Sequence, residues 1–199
     1  MFFTSNQLGY VRVSSCGKYY PLDVQKARGS RDQVSCFMMD FKNTKCPGHA
    51  RSINYFGKML VNKVEQYNRR GRSGQLIPLL DNLVQIAIVP SHEKDCVSPA
   101  LIAIADMVAK KYSKTVILKP LLRRTVSVLS AHKDNGDRSI EHHMRTIRVV
   151  TENLRPNIPV FLIDDVTTSG GSMSACYHLL EQAGASEIYP IALLETSYS

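Results

Sequence analysis

The stretch VFLIDDVTTSGGS, Val160 to Ser172, decides the fold. Four apolar residues, Val160 to Ile163, run into two adjacent acids, Asp164 and Asp165, and then into hydroxyls and glycines. A short apolar run of this kind reads as a strand buried on both faces. Gly170 and Gly171 let the backbone turn tightly and come close to a ligand. From Gly170 to Ala183 the pattern reads as a helix, stopped by Gly184. The first turn of such a helix offers free N–H groups and the positive end of its dipole. Thr167, Thr168, Ser169 and Ser172 add hydroxyl donors, so the loop reads as a phosphate cradle. It is not a Walker A loop, because no Gly-Lys-Ser/Thr follows. Carboxylates accept hydrogen bonds from vicinal hydroxyls, and Asp164 and Asp165 stand just before the cradle. The string as a whole reads as a grip for a ribose 5-phosphate.

Working outward, LVQIAIVP (83–90) is a second buried strand ended by Pro90. Ser98-Pro99 then opens a helix to about Lys111, with Ser as N-cap and Pro at the first helical position. TVIL (115–118) is a short strand, PVFLI (159–163) the next, and EIYPIALL (187–194) the last. Strands alternating with helices predict an α/β fold: a Rossmann-like parallel sheet with helices on both faces. In such sheets ligands sit at the carboxyl ends of the strands, where the two aspartates stand. The first 75 residues lack this rhythm. Residues 10–23 read as two short strands with a turn, VSCFMMDF (34–41) as another strand, and 50–69 as a helix ended by RRGRSG. The expected division is an N-terminal β/α cap over residues 1–75 and a core over 76–199.

Composition bounds the partners. No apolar run reaches the roughly 18 residues of a membrane span, and the first residues lack a secretory pattern, so a cytoplasmic protein without membrane contact is expected. Five scattered cysteines argue against a disulfide framework. Cys36, Cys46 and His49, with Cys16, do not have a knuckle spacing, so no zinc is expected. The net charge of +8 favours an anionic ligand or partner: nucleotide, polyphosphate or nucleic acid. It is concentrated in residues 40–72, with eight basic and two acidic residues, and in 119–148, with seven basic and three acidic.

The quoted string resembles the signature of type I phosphoribosyltransferases: an apolar strand, two acids, an apolar residue, then Thr-Thr-Gly-x-Thr/Ser. Here Asp164 and Asp165 are the acids, Val166 comes next, and Thr168, Ser169, Gly170, Gly171 and Ser172 fill the remaining slots. The resemblance implies that fold and binding of 5-phosphoribosyl 1-diphosphate (PRPP), or of a nucleoside monophosphate. It places magnesium on the diphosphate and ribose hydroxyls, held through the substrate. Thr167 to Ser172 would then cradle the 5-phosphate. Two further elements of the family find counterparts in residues 84–195. The diphosphate loop matches Pro90 to Lys94, with Ser91, His92 and Lys94 as candidate ligands. The mobile basic loop matches 119–146, with Arg123, Arg124, Lys133 and Arg138 closing over the diphosphate. Within the family, residues 39–64 and the LLRRTVSVLSAHKDNGDRSIEHH segment resemble the competence-associated ComF group.

The activity this resemblance implies is transfer of a 5-phosphoribosyl group to a nitrogen nucleophile such as a base, with release of diphosphate. Asp164 and Asp165 would orient the ribose and stabilise the cationic sugar. The acid that some purine-using relatives carry three positions beyond the second aspartate is here Thr168, which cannot do acid–base work. His92, His142 and His143 are candidates for it by chemistry alone. The alternative is a catalytically degenerate binding or sensor module in DNA uptake, regulation or phage defence, contacting nucleic acid or a protein partner. Arg69, Arg70 and Arg72 are its candidate phosphate contacts. A homodimer is expected only by analogy with the fold.

Overall fold

The computed structural model describes residues 8–71, 73–129 and 138–198. In chain order the elements are β1 (Ser14–Ser15), β2 (Lys18–Tyr19), α1 (Leu22–Ala27), α2 (Gln33–Lys42), α3 (His49–Val64), β3 (Asn68–Arg70) and β4 (Leu76–Pro78). There follow β5 (Val84–Ile88), α4 (Pro99–Lys111), β6 (Val116–Leu118), β7 (Leu122–Arg124), α5 (Ile140–Thr146) and β8 (Ile147–Val149). The chain closes with β9 (Val160–Thr167), α6 (Gly171–Gln182) and β10 (Ile188–Thr196).

The central sheet runs β1-β10-β9-β5-β6, with β2 also on β10, and every pairing in it is parallel. Helices cover both faces, as the strand–helix alternation predicts. Side chains on a strand alternate between faces, and β9 shows both destinations. Phe161 and Ile163 pack with Ile86 and Leu193 under α2, α3 and α4. Val160 and Leu162 pack with Ala87 against Cys176 and Leu180 of α6. Both sets are almost fully buried, so the apolar run has no solvent face to reveal a period of two.

Two N-terminal expectations are corrected. VSCFMMDF is not a strand but the body of α2. Asp32 caps that helix by accepting the Ser35 amide at 2.7 Å, and Met38 and Phe41 bury one stripe against α3. A short apolar run fits either period, and the cap decides for helix. The helix drawn to residue 69 stops at Val64. Arg69 and Arg70 belong instead to β3, in an antiparallel hairpin with β4. The two short strands near residue 16 do exist. They share one register on β10, Ser14 opposite Ile191 and Lys18 opposite Glu195, so they prolong one sheet edge rather than forming a hairpin. Among the described residues, no helix is long and apolar enough to cross a membrane.

On either side of residues 130–137 the basic stretch after β6 forms regular elements. β7 and β8 pair antiparallel, Arg123 opposite Arg148, and Ser139 caps α5 by accepting the His142 amide at 3.2 Å. Buried Gln85 joins the sheet to the turn before β9. Its amide donates to the carbonyls of Arg155 and Ile158 at 3.0 and 3.1 Å, and its carbonyl accepts from Arg155 N–H at 2.9 Å.

Candidate functional site

The carboxyl end of β9 carries the acids. Asp164 and Asp165 are the fifth and sixth residues of this strand, where its burial gives way to partial exposure. Each accepts a backbone amide one residue on: Asp165 N–H to Asp164 Oδ1 at 2.8 Å, and Val166 N–H to Asp165 Oδ1 at 2.6 Å. Both line a cavity of about 240 Å³ with Ser91, His92, Arg124 and His143. Burial, and then the neighbouring Asp165 charge, push the Asp164 carboxyl up to about 8. The Asp165 amide and the Lys42 ammonium oppose that rise.

The loop after β9 forms a second cavity of about 140 Å³, lined by Thr167, Thr168, Ser169, Gly170, Gly171 and Ser172 together with Arg138 and His143. Gly170 takes φ 75, in the left-handed region that favours glycine, and its carbonyl accepts from Ser174 N–H at 2.8 Å to begin α6. Thr168 is turned partly aside: its hydroxyl pairs with that of Thr196 at 2.8 Å. Ser172 and His143 line both cavities, so the acid pair and the loop share one cleft.

A third cavity, about 380 Å³, opens beside the loop and shares Arg138, Val166 and Thr168 with it. Tyr19, Asp23 and Lys42 from the N-terminal segment face Thr196 and Tyr198 there. Lys42 Nζ lies 3.1 Å from Asp165 Oδ1. Sequence reasoning missed these contributors. Reading α2 as a strand concealed Lys42, and nothing local marks a residue as folding over a sheet end about 120 positions away.

The expected diphosphate ligands divide. Ser91 and His92 line the first cavity, whereas Lys94 does not. The Lys94 amide donates to Ser127 Oγ at 2.9 Å. The expected loop residues divide as well. Arg123 is exposed on β7 and lines none of the three cavities. Arg124, expected on a mobile loop, is a buried strand residue at 2% exposure. Its Nε donates to the Ser91 carbonyl at 2.5 Å and its Nη1 to Thr146 Oγ1 at 2.6 Å, which pins the 90–97 loop to the β7–β8 hairpin. Burial lowers its pKa, and no carboxylate pairs with it among the described residues. Arg138, expected over the diphosphate, lines the second and third cavities, beside the 167–172 loop. Lys133, and with it the 130–137 part of the expected lid, lies outside the described residues.

The acid end of the cleft offers the oxygens of Asp164, Asp165, Ser91 and Ser172 beside His92, His143 and Arg124, and such oxygens suit a hard cation such as magnesium carried on a phosphorylated ligand. Among the described residues no group of three or more His, Cys, Asp and Glu is placed to hold a metal. Cys46, one of the cysteines weighed for zinc, donates its thiol to Asp40 Oδ1 at 3.1 Å.

No family model matches the chain, and no curated protein matches it. Among solved structures it is similar to a hypoxanthine phosphoribosyltransferase from Staphylococcus aureus, with 13% identity and a TM-score of 0.38 over 72% of this chain and 62% of that one. It is also similar to an adenine phosphoribosyltransferase from Trypanosoma brucei in complex with AMP, pyrophosphate and ribose-5-phosphate. There the identity is 14% and the TM-score 0.43, over 74% of this chain and 65% of that one. The chain therefore spans less than two thirds of the length of either structure.

Proposed function

We propose that this chain binds PRPP and transfers its 5-phosphoribosyl group to a nitrogen nucleophile, releasing diphosphate, as a type I phosphoribosyltransferase of the ComF-like kind acting in the cytoplasm. One observation carries the reading. The adjacent Asp164 and Asp165 at the end of β9 lie in a single cleft with a glycine–hydroxyl loop and a buried arginine that no carboxylate pairs with among the described residues. A glycine- and hydroxyl-rich loop at a helix start suits a phosphate monoester. Two adjacent Asp carboxyl groups, with Asp164 neutral below about 8, suit a vicinal diol, and Arg124 with Ser91 suits a second anionic group. A 5-phosphorylated ribose bearing a diphosphate presents these three groups in this order. The two domains would divide the work, residues 76–199 holding PRPP and residues 1–75 walling the acceptor.

In the reaction the bond from the anomeric carbon to diphosphate oxygen breaks, and a bond to nitrogen forms from the opposite face. The sugar is cationic in between. Asp165, oriented by Lys42 and the Val166 amide, supplies negative charge beside it. Arg124 faces the departing diphosphate and Arg138 the 5-phosphate. Magnesium, where bound, supplies charge neutralisation on the diphosphate oxygens. The nitrogen nucleophile enters from the cavity of Tyr19, Asp23 and Tyr198.

Calorimetry with PRPP and magnesium, followed by diphosphate release across a panel of purine and pyrimidine bases, tests the proposal. Binding with release for at least one base is the expected result. No PRPP binding at millimolar concentration would overturn it, and binding without release for any base would favour the sensor alternative. For that alternative the supporting observation is the placement of Arg69 and Arg70. They border a cleft of about 540 Å³ with Glu187 and Tyr189, at the end of β10 opposite the acids.

A further inference from the structure

Lys42 is the last residue of α2, and the packing of that helix does not need it. Met38 and Phe41 make the helix's buried stripe, and Ser35 Oγ anchors it by accepting the Tyr20 amide at 2.9 Å. The lysine instead reaches over the sheet end to the second acid. Its Nζ is 3.1 Å from Asp165 Oδ1, the same oxygen that accepts the Val166 amide at 2.6 Å. Among the described residues, no hydrogen bond or ion pair engages Asp165 Oδ2. One carboxylate oxygen is thus held from two directions, and the other is left to the cavity that Asp165 lines.

We propose that Lys42 is a positioning residue for the acid pair: with the Val166 amide it fixes Asp165 Oδ1 and leaves Oδ2 for a ribose hydroxyl. This rests on the ribose-phosphate reading of the cleft. The physical reason is twofold. A carboxylate free to rotate loses part of its hydrogen-bond energy to ordering when a ligand arrives, and an anchored one has already met that cost. Two adjacent acids also repel, and a cation on the outer one offsets part of that repulsion. Ribose recognition at the C-terminal half of the chain therefore depends on a side chain from the N-terminal segment. A pair this exposed, 42% for the lysine and 21% for the aspartate, contributes little to stability, so the lysine can be removed without unfolding the protein.

The rival account is that Lys42 merely occupies Asp165 and must be cleared before ribose binds. Lys42→Met and Lys42→Arg in the full chain separate the two. Calorimetry would compare ribose 5-phosphate with inorganic phosphate, which needs the loop but not the acids. Positioning predicts that Lys42→Met weakens ribose 5-phosphate by about tenfold or more, leaves phosphate unchanged, and is largely rescued by Lys42→Arg. A second measurement uses no ligand. The carboxyl carbon of Asp164, followed by NMR against pH, should titrate higher in Lys42→Met, because the lysine is a cation that lowers the Asp164 pKa. The other ionisable groups facing Asp164 are Asp165, Cys176 of α6, and Arg124, His92 and His143 around the cavity, and all are unaltered. If the parent binds ribose 5-phosphate and Lys42→Met binds it as well or better, the positioning role is wrong while the ribose site stands. If Asp164 titrates identically in both proteins, Lys42 does not hold the pair in solution. If the parent fails to bind ribose 5-phosphate, the ribose reading falls and this role falls with it.

Discussion

The backbone carbonyl of Arg138 rests against Gly171, so closely that a Cβ at Gly171 would stand 2.0 Å from its oxygen. The first residue of α6 is therefore glycine for reasons of space, whereas Gly170 before it is glycine for reasons of φ. Among the described residues, a Cβ at Gly170 would meet only Thr167 Oγ1 at 3.7 Å and Tyr10 Cδ1 at 3.9 Å. Gly171→Ala must displace the 138–139 backbone or the helix start, at a cost of about 1–3 kcal/mol. Gly170→Ala should cost about 1–2 kcal/mol through left-handed strain alone. Urea unfolding should find both losses. Only Gly171→Ala should also move the NMR amide signals of Arg138 and Ser139.

Asp164→Asn with Asp165→Asn should leave the fold intact and weaken PRPP more than a hundredfold. Above about pH 8, where Asp164 has lost its proton, charge-assisted hydrogen bonds contribute roughly 1.5–3 kcal/mol each, and among the described residues the pair's hydrogen bonds and ion pairs go to nearby backbone and Lys42. Calorimetry on the double variant decides, and undiminished affinity would remove the site from β9.

Asp164 also ties stability to pH. An unfolded aspartate loses its proton near 3.8, while the folded carboxyl keeps it up to about 8. Within that window the folded state binds the extra proton, so the contribution is full below 3.8 and is lost as pH rises towards 8. Asp164→Asn stays neutral throughout. The stability of the parent minus that of the variant should fall from about pH 4 to about pH 8, measured by urea unfolding at fixed ionic strength. A flat or rising difference contradicts the assignment.

Arg124→Met should uncouple the 90–97 loop from the β7–β8 hairpin. The Ser91 carbonyl loses its 2.5 Å donor and Thr146 Oγ1 loses a partner at 2.6 Å. An orphaned buried acceptor costs about 1–3 kcal/mol. Losing the cation should reduce diphosphate affinity at least tenfold, while inorganic phosphate binding at the α6 loop is retained. Parallel titrations with magnesium diphosphate and with phosphate check the split.

If the basic excess serves nucleic acid, duplex DNA should bind at ~50 mM salt, with log K falling by about 0.9 per phosphate contacted as log salt rises. Arg69→Ser with Arg70→Ser should shallow that slope without touching PRPP affinity, since both sit at the far end of β10. Absence of DNA binding at that salt returns these arginines to a solvated hairpin.

Much of the core is legible in the sequence because its signals are local. The Ser98-Pro99 start of α4, the Gly184 stop of α6 and the buried runs of β5, β9 and β10 each lie within a few residues of their cause. The turn at 167–172 into α6 is legible for the same reason, since its glycines, hydroxyls and helix start are contiguous. α2 was not, because eight mostly apolar residues fit both periods and only the Asp32 cap, outside the run, distinguishes them.

What the sequence determined by itself was therefore the parallel α/β alternation and the placement of Asp164, Asp165 and the 167–172 loop at a strand end. What only the tertiary structure decided was the rest of the cleft. Arg124 reads as one more basic residue in a basic stretch until β7 pairs with β8 and turns it inward beneath Ser91. Lys42 reads as surface charge until α2 packs on α3 and carries its ammonium to Asp165. Burial and long-range pairing are properties of how elements stack, and stacking is set by the whole core rather than by any window of residues.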